Sequence, residues 1–373
     1  MVVSNGFILC ENEAHFQQDR LYMSFRVTVP ASGHEFEVEA GETILEAALR
    51  QGIGLPYGCR NGACGKCAGE LISGEVSYAK ELSSLALEQR QQGKTLFCQA
   101  CPQSDLEIQV REISTGRDIE IKTLPCRVES MQLLTHDIMK VELKLPETER
   151  LQFLAGQYIE FLLKDGKRRA FSIANAPHDD ALIELHIRHV PDGQFGDYVF
   201  DGMKVKELLR LEGPLGSFYL REQSSRPIIM VGGGTGFAPL KGMLEHAFHI
   251  GLDRPIHLFC GVRALRDLYM DEMVKGWSKE HGNLMYTPVL SEPDEGDNWQ
   301  GRTGFVHEAV IEQYPDLSGY DMYMSGPPPM IKAGMDAFYA HGLPESQIYS
   351  DSFEYSDDAL RAMGITKPNQ EST

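Results

Sequence analysis

Tyr57-Gly-Cys-Arg-Asn-Gly-Ala-Cys-Gly-Lys-Cys-Ala-Gly69, answered further along the chain by Leu96-Phe-Cys-Gln99, sets Cys59, Cys64, Cys67 and Cys98 in the order C-x4-C-x2-C-x30-C. This is the thiolate spacing that ligates a [2Fe–2S] cluster. Three thiolates must converge from one short loop while backbone N–H groups turn inward toward the cluster sulfurs, and Gly58, Gly62, Gly65 and Gly69 stand where such a loop needs them. A four-cysteine zinc ribbon using Cys64, Cys67, Cys98 and Cys101 is the rival reading. It leaves Cys59 idle, spans a longer intervening stretch than ribbons use, and gives no reason for the glycines. Cys10, Cys101, Cys126 and Cys260 read as small hydrophobes or free thiols.

The chain has 373 residues, 42% hydrophobic and 24% charged, enough for two or three globular domains. No apolar run reaches membrane-spanning length, and Met1-Val-Val-Ser-Asn-Gly-Phe lacks the basic start of a signal peptide. With few cysteines for its length, the expected location is the reducing cytoplasm. A net charge of −19 offers no basic face, which argues against nucleic-acid or membrane partners.

Three textures follow one another. In residues 26–112, Glu35-Phe-Glu-Val-Glu39 alternates as a strand. Thr43 and Glu46 form a capping box, and Ile44–Gln51 reads as a helix stopped by Gly52. Ala68–Tyr78 reads as two strands about a Ser73-Gly74 turn, with a polar helical stretch over 82–92. Residues 1–25 are an N-terminal extension and 113–124 a polar linker. From 125 to 225, short alternating strands such as Met139–Lys144, Tyr158–Leu163 and Leu182–Arg188 give barrel texture. From 226 to 355, strands at Pro227–Val231, Ile256–Cys260, Leu284–Leu290 and Tyr320–Met324 alternate with helical spacing, as in an α/β parallel sheet. Residues 356–373 form a tail. The expected fold class is multidomain α+β and α/β.

Residues 26–112 resemble the plant-type ferredoxin β-grasp domain throughout. Arg169-Ala-Phe-Ser172, between Gly156-Gln-Tyr158 and Ile173-Ala-Asn175, is similar to the R-x-Y/F-S flavin motif of the ferredoxin–NADP reductase superfamily. The resemblance implies that Arg169 meets a flavin phosphate by forked hydrogen bonds, that Ala170 and Phe171 line the isoalloxazine, and that Ser172 reaches flavin N5. It also implies that His186-Ile187-Arg188 runs along the flavin with Arg188 near a phosphate. Gly193-Gln-Phe-Gly196 would take the place of a G-x-x-S pyrophosphate segment, Gly196 standing where relatives often have serine.

Gly232-Gly233-Gly234-Thr235-Gly236-Phe-Ala-Pro239 opens a helix directly after a strand. A glycine turn with a helix N-terminus suits a pyrophosphate. It resembles the superfamily's nicotinamide-nucleotide motif, and Ser325-Gly326-Pro327-Pro-Pro-Met330 resembles C-G-P-P-P-M, with serine replacing the cysteine that lies beside the nicotinamide. Phe353, in Tyr349-Ser-Asp-Ser-Phe353, matches the C-terminal aromatic that covers the flavin in relatives; a core position in a last strand is the alternative. Ser172, Ser325 and Phe353 are the candidate catalytic residues.

Over residues 27–353, the order of motifs and phrases such as Leu154-Ala-Gly-Gln-Tyr-Ile159 and Gly304-Phe-Val-His-Glu-Ala309 resembles the CDP-6-deoxy-Δ3,4-glucoseen reductases. Reductase components of phenol hydroxylases and ring-hydroxylating dioxygenases are similar in order. The resemblance implies an oxidoreductase that passes electrons from NADH, through FAD, to a [2Fe–2S] cluster and on to a partner protein. That partner is a pyridoxamine-phosphate-dependent sugar dehydrase in the first group and a metal oxygenase in the second. NADPH is the alternative donor, because Arg263 and Arg266 follow the second strand of the nucleotide region. A reading of another class, a redox sensor or electron carrier without catalysis, follows from the departures at Ser325 and Gly196.

Overall fold

The computed structural model describes residues 24–51, 53–57, 62, 65, 67–79, 82, 85, 87–110, 119–190 and 193–353. They fall into two compact units divided after Ser114.

The first unit is built on β1 (Phe25–Val29) and β2 (His34–Val38), an antiparallel pair, followed by helix α1 (Ile44–Arg50). The capping box forms as expected: the Thr43 side chain accepts from the Glu46 N–H, and the Glu46 carboxylate accepts from the Thr43 N–H. Then come β3 (Ala68–Ser73), β4 (Val76–Tyr78), α2 (Leu87–Gln91), β5 (Lys94–Leu96), β6 (Ala100–Pro102) and β7 (Leu106–Gln109). Five of these strands form one mixed sheet in the order β2-β1-β7-β3-β5, and α1 packs its apolar face, Ile44, Leu45, Ala47 and Ala48, into the same buried core as Val27, Val29, Phe97 and Ile108. The two strands flanking Ser73-Gly74 exist but do not form a hairpin. β3 pairs with β5 and β7, whereas β4 pairs with β6 in a separate two-stranded ribbon. Gly74 lies at φ +96°, and a Cβ there would stand 2.3 Å from the Asp105 carbonyl oxygen, so the chain is turned by a contact distant in sequence.

The second unit begins with an antiparallel barrel: β8 (Lys122–Thr135), β9 (Ile138–Lys144), β10 (Tyr158–Leu162), β11 (Arg168–Ser172), β12 (Ile183–Arg188), helix α3 (Gln194–Asp197) and β13 (Leu208–Leu215). The order is β11-β10-β13-β8-β9-β12, and an Ile173–Leu185 bridge joins the two ends. β8 starts inside the stretch expected as linker, since Lys122, Thr123 and Leu124 already pair with Gly213, Glu212 and Leu211.

A parallel sheet follows: β14 (Ile228–Gly233), α4 (Phe237–His249), β15 (Ile256–Val262), α5 (Asp271–Glu280), β16 (Leu284–Leu290), β17 (Arg302–Thr303), α6 (Val306–Gln313), β18 (Asp321–Gly326), α7 (Pro328–Ala340) and β19 (Ile348–Ser352). Its order is β17-β16-β15-β14-β18-β19, with every pairing parallel. All six residues of β14 are buried, as a central parallel strand covered on both faces requires. No helix among the described residues is long and apolar enough to cross a membrane.

Within this sheet, the His257 ring lies between the Tyr314 hydroxyl at 2.7 Å and Thr287 Oγ1 at 2.8 Å. Burial pushes its imidazole down to about 4. The unfolded chain takes up a proton near pH 6.5 while the folded chain resists, so this contribution to stability is complete above about pH 6.5 and is lost as pH falls toward 4. His257→Gln is expected to lower stability at pH 7, yet to shrink the further loss between pH 7 and 4.5 by on the order of 2 kcal/mol, after allowance for solvent screening. Denaturant unfolding at the two pH values measures the difference; an equal loss in both proteins would be evidence against this role for His257.

Candidate active site and electron-transfer centre

In the first unit, Cys67 ends the glycine-rich loop immediately before β3 and Cys98 follows β5, so pairing of Ala68 with Leu96 brings the two together. Their sulfurs lie 3.1 Å apart, and both residues are buried. The Cys67 thiol beside it holds the Cys98 thiol down to about 7 against the upward push of burial, and the Gly62 N–H also donates to it. Gly62 adopts φ +82°, the left-handed turn the loop reading required. Cys59 and Cys64 lie outside the described residues. Cys101 sits in β6, opposite Ser77, half-buried.

In the second unit, three strands meet at one polar point. The Ser172 hydroxyl, at the end of barrel strand β11, donates to Asp351 Oδ2 at 3.1 Å. The Ser325 hydroxyl, near the end of β18 and fully buried, donates to the same oxygen at 3.3 Å. Parallel register of β18 on β19 sets Ser325 opposite Asp351, and the Phe353 N–H donates to the Gly326 carbonyl at 3.0 Å, closing the chain over this point.

The glycine loop lies alongside. Gly232 pairs with Ser325, and a Cβ on Gly236 would stand 1.9 Å from the Ser325 carbonyl oxygen. A Cβ on Gly233 would meet Met330 Sδ at 2.5 Å and Pro327 Cδ at 2.9 Å, and one on Gly234 would lie 3.1 Å from Arg188 Nη1. The loop is glycine because a second backbone and the barrel's arginine crowd it. Thr235 lies in the single helical turn Gly234–Gly236 that leads into α4.

Comparison with known proteins follows the same division. Residues 27–103 match the 2Fe-2S iron-sulfur cluster binding domain, 125–219 the oxidoreductase FAD-binding domain and 230–335 the oxidoreductase NAD-binding domain. The chain is 41% identical over 331 residues to the CDP-6-deoxy-L-threo-D-glycero-4-hexulose-3-dehydrase reductase of Yersinia pestis, covering 89% of this chain and 99% of that protein. It belongs to the iron–sulfur flavoprotein reductases. The phenol hydroxylase P5 protein of Acinetobacter pittii is 35% identical, covering 89% of this chain and 95% of that one. The ferredoxin reductase in carbazole 1,9a-dioxygenase, a solved structure, is 29% identical with a TM-score of 0.58, covering 89% of this chain and 99% of its own.

The reductase is therefore an oxidoreductase of the ferredoxin-reductase type, with 2Fe–2S, FAD-binding and NAD-binding domains. The buried Cys67–Cys98 pair, with a glycine N–H aimed at sulfur, fits an iron–sulfur cluster. The loop Gly233–Gly236, packed closely against Ser325, Pro327 and Met330, leads from β14 straight into the N-terminus of α4, the strand, glycine turn and helix order that fits a backbone-bound nucleotide.

Other expected residues take places that alternation in β12 explains. Ile183, Leu185 and Ile187 point into the barrel core, so Glu184, His186 and Arg188 share the opposite face. His186 is buried, its ring nitrogens 2.7 Å from Glu184 and 3.1 Å from the Tyr269 hydroxyl, so its side chain serves a junction with the nucleotide sheet. Arg188 donates its Nε to Asp137 at 2.7 Å. Phe171 packs on Phe161 and Phe195, ring centres 5.9 and 5.4 Å away, which ties its ring to the barrel core, and Ala170 pairs with Glu160 across β10. Arg169 Nη1 donates to the Arg168 carbonyl at 3.0 Å. Gly193 caps α3, and a Cβ on Gly196 would come within 3.3 Å of His189 Cδ2 and of the Val190 nitrogen, so serine at 196 would be tight here. Sequence reasoning missed Asp351. Its signal was its place two residues before Phe353, on the strand edge facing Ser325.

Proposed function

We propose that the reductase oxidises NADH and delivers single electrons, by way of FAD and the [2Fe–2S] cluster, to a pyridoxamine-phosphate-dependent sugar dehydrase acting in 3-deoxygenation of a CDP-linked sugar. The observation that carries the reading is the meeting of Ser172 and Ser325 on Asp351, which brings the flavin-motif strand and the nicotinamide-motif strand to one atom. When bound, the nicotinamide supplies hydride, the flavin divides the pair and the cluster carries one electron at a time.

Arg169, Ala170, Phe171 and Ser172, with His186, Ile187, Arg188, Gly193 and Gly196, form the FAD side in this proposal. His186 and Ile187 contribute there through backbone rather than side chain. Gly232, Gly233, Gly234, Thr235, Gly236, Gly326 and Pro327 hold the nicotinamide nucleotide. Ser172 and Ser325, oriented by Asp351, bound the place where nicotinamide and flavin meet, and Phe353 covers it. Cys59, Cys64, Cys67 and Cys98 ligate the cluster. The proposed domains are 26–112, 125–225 and 226–355.

The sugar-dehydrase partner rests on 41% identity to a dehydrase reductase, against 35% to a phenol hydroxylase protein. An aromatic oxygenase component is the second reading. Anaerobic mixing of the NADH-reduced protein with each class of partner separates them. Rapid reoxidation by a dehydrase with its CDP-sugar is expected; reoxidation by an oxygenase component alone would reverse the assignment.

NADH over NADPH is supported by the surroundings of the two arginines. Arg266 Nη1 already faces Asp294 at 3.6 Å, and the Leu265 N–H donates to Asp297 at 3.1 Å. Glu292, whose N–H donates to the Arg263 carbonyl, and Glu295 add charge to the same loop. A 2′-phosphate there would meet carboxylates that Arg263 and Arg266 do not outnumber. The expected kcat/KM favours NADH by at least about tenfold, a difference of about 1.4 kcal/mol; a preference for NADPH would overturn the assignment.

A further inference from the structure

The barrel and the nucleotide sheet are joined by a polar chain that the hydride chemistry itself does not use. Glu184, on β12, accepts from His186 Nε2 at 2.7 Å, and His186 Nδ1 lies 3.1 Å from the Tyr269 hydroxyl. The Tyr269 ring meets Phe237 edge to face, with centres 5.7 Å apart, and Phe237 is the first residue of α4, directly after the glycine loop. One turn along α4, Lys241 Nζ reaches Glu184 at 3.2 Å and donates to the Ala174 carbonyl at 3.2 Å, with Glu245 at 2.8 Å on its other side. The side chains of His186 and Lys241 are 0% and 6% exposed.

The direction of the chain is set. Burial alone would raise the Glu184 carboxyl, but the His186 hydrogen bond and the Lys241 charge hold it down to about 2, so it is an acceptor. His186 Nε2 therefore carries a proton, and because burial pushes the imidazole down, toward its neutral form, Nδ1 accepts from the Tyr269 hydroxyl. A buried ionic group can often be exchanged for apolar packing without loss of stability; what a fully bonded chain adds is one permitted geometry.

We propose that Tyr269 and His186 are positioning residues for hydride transfer, a strut that fixes the glycine loop and the start of α4 at a set distance from barrel strand β12, whose Leu185 bridges to Ile173 directly after the flavin-motif strand β11. The proposal rests on the reductase reading above and deepens it. Near-attack geometry is steep in distance, so a loop free to shift by a fraction of an ångström slows transfer without emptying either site.

Tyr269→Phe removes one oxygen and keeps the ring on Phe237. In the full-length, cofactor-loaded protein it is expected to slow flavin reduction by NADH about tenfold, within the range such misplacement produces. It should also enlarge the deuterium effect seen with 4-deuterated NADH and speed amide hydrogen exchange over residues 232–240, with FAD content unchanged. His186→Phe/Tyr269→Phe should be no slower than the more affected of the two single variants, because one strut is broken only once. Native reduction and native exchange in Tyr269→Phe, strictly additive losses in the double variant, or loss of FAD with a normal rate per bound flavin would each overturn the proposal. If the unaltered protein is reduced by neither NADH nor NADPH, the reductase reading fails instead, and the exchange of residues 232–240 still decides whether the strut exists.

Discussion

Cys98→Ser is expected to abolish the visible iron–sulfur absorbance and to cut reduction of a one-electron acceptor such as cytochrome c by at least about 100-fold, more than loss of an outer-shell partner brings. Reduction of flavin by NADH should remain within a few-fold of normal. The scaffold around Cys98 does not depend on its sulfur. The Leu45 N–H donates to the Phe97 carbonyl at 2.9 Å, the Phe97 N–H to the Cys67 carbonyl at 3.2 Å, and Gln99 Nε2 to the Cys98 carbonyl at 2.7 Å. Serine keeps the shape and these bonds but is a poor ligand for iron. Cys101→Ser is the control, and the iron–sulfur reading predicts that it leaves the spectrum unchanged. Loss of metal in Cys101→Ser together with retention in Cys59→Ser would instead restore the zinc-ribbon reading. Iron content, the visible spectrum and paired acceptor assays measure all of this.

Gly236→Ala is expected to destabilise the second unit by about 3 kcal/mol, the upper end of ordinary overpacking, and to reduce NADH-dependent flavin reduction by at least about tenfold. The demand at this position is for space. Its φ of −61° suits any residue, but a Cβ would stand 1.9 Å from the Ser325 oxygen, 2.4 Å from its carbonyl carbon and 2.9 Å from the Gly326 nitrogen. All three are backbone atoms of the strand that carries Ser325, so no side-chain rotation relieves the contact. Either the loop lifts from β18 or β18 moves away from Asp351, and both displace the nicotinamide side of the site. Gly276→Ala inside α5 makes the contrast: a Cβ there meets nothing within 4 Å, so the variant should be more stable by about 0.5–1 kcal/mol. Thermal unfolding and stopped-flow reduction of the two variants test the pair; equal effects would show that loop packing does not govern the site.

What could be read from the residues was what local chemistry specifies. The Thr43–Glu46 capping box, the apolar run of β14, the glycine loop opening a helix, and Cys67 and Cys98 converging on one point all follow from short-range spacing or from a motif. Pairings between distant segments were harder. The Ser73-Gly74 turn suggested a hairpin, yet the partners of β3 and β4 were chosen by strands that arrive later in the chain. Asp351 is set opposite Ser325 by the register of β18 on β19, and it lies 179 residues from Ser172, which it meets only where barrel strand β11 comes up against the end of the parallel sheet. His186 stood within a flavin motif, but the faces of a strand alternate, and only the packed nucleotide sheet shows that its ring meets Tyr269.

An anaerobic absorbance titration of the cluster-loaded, FAD-containing protein with NADH tests the central claim most directly. The account predicts that the flavin and iron–sulfur bands both bleach, the cluster following the flavin. With both groups bound, failure of both NADH and NADPH to bleach any band would contradict it.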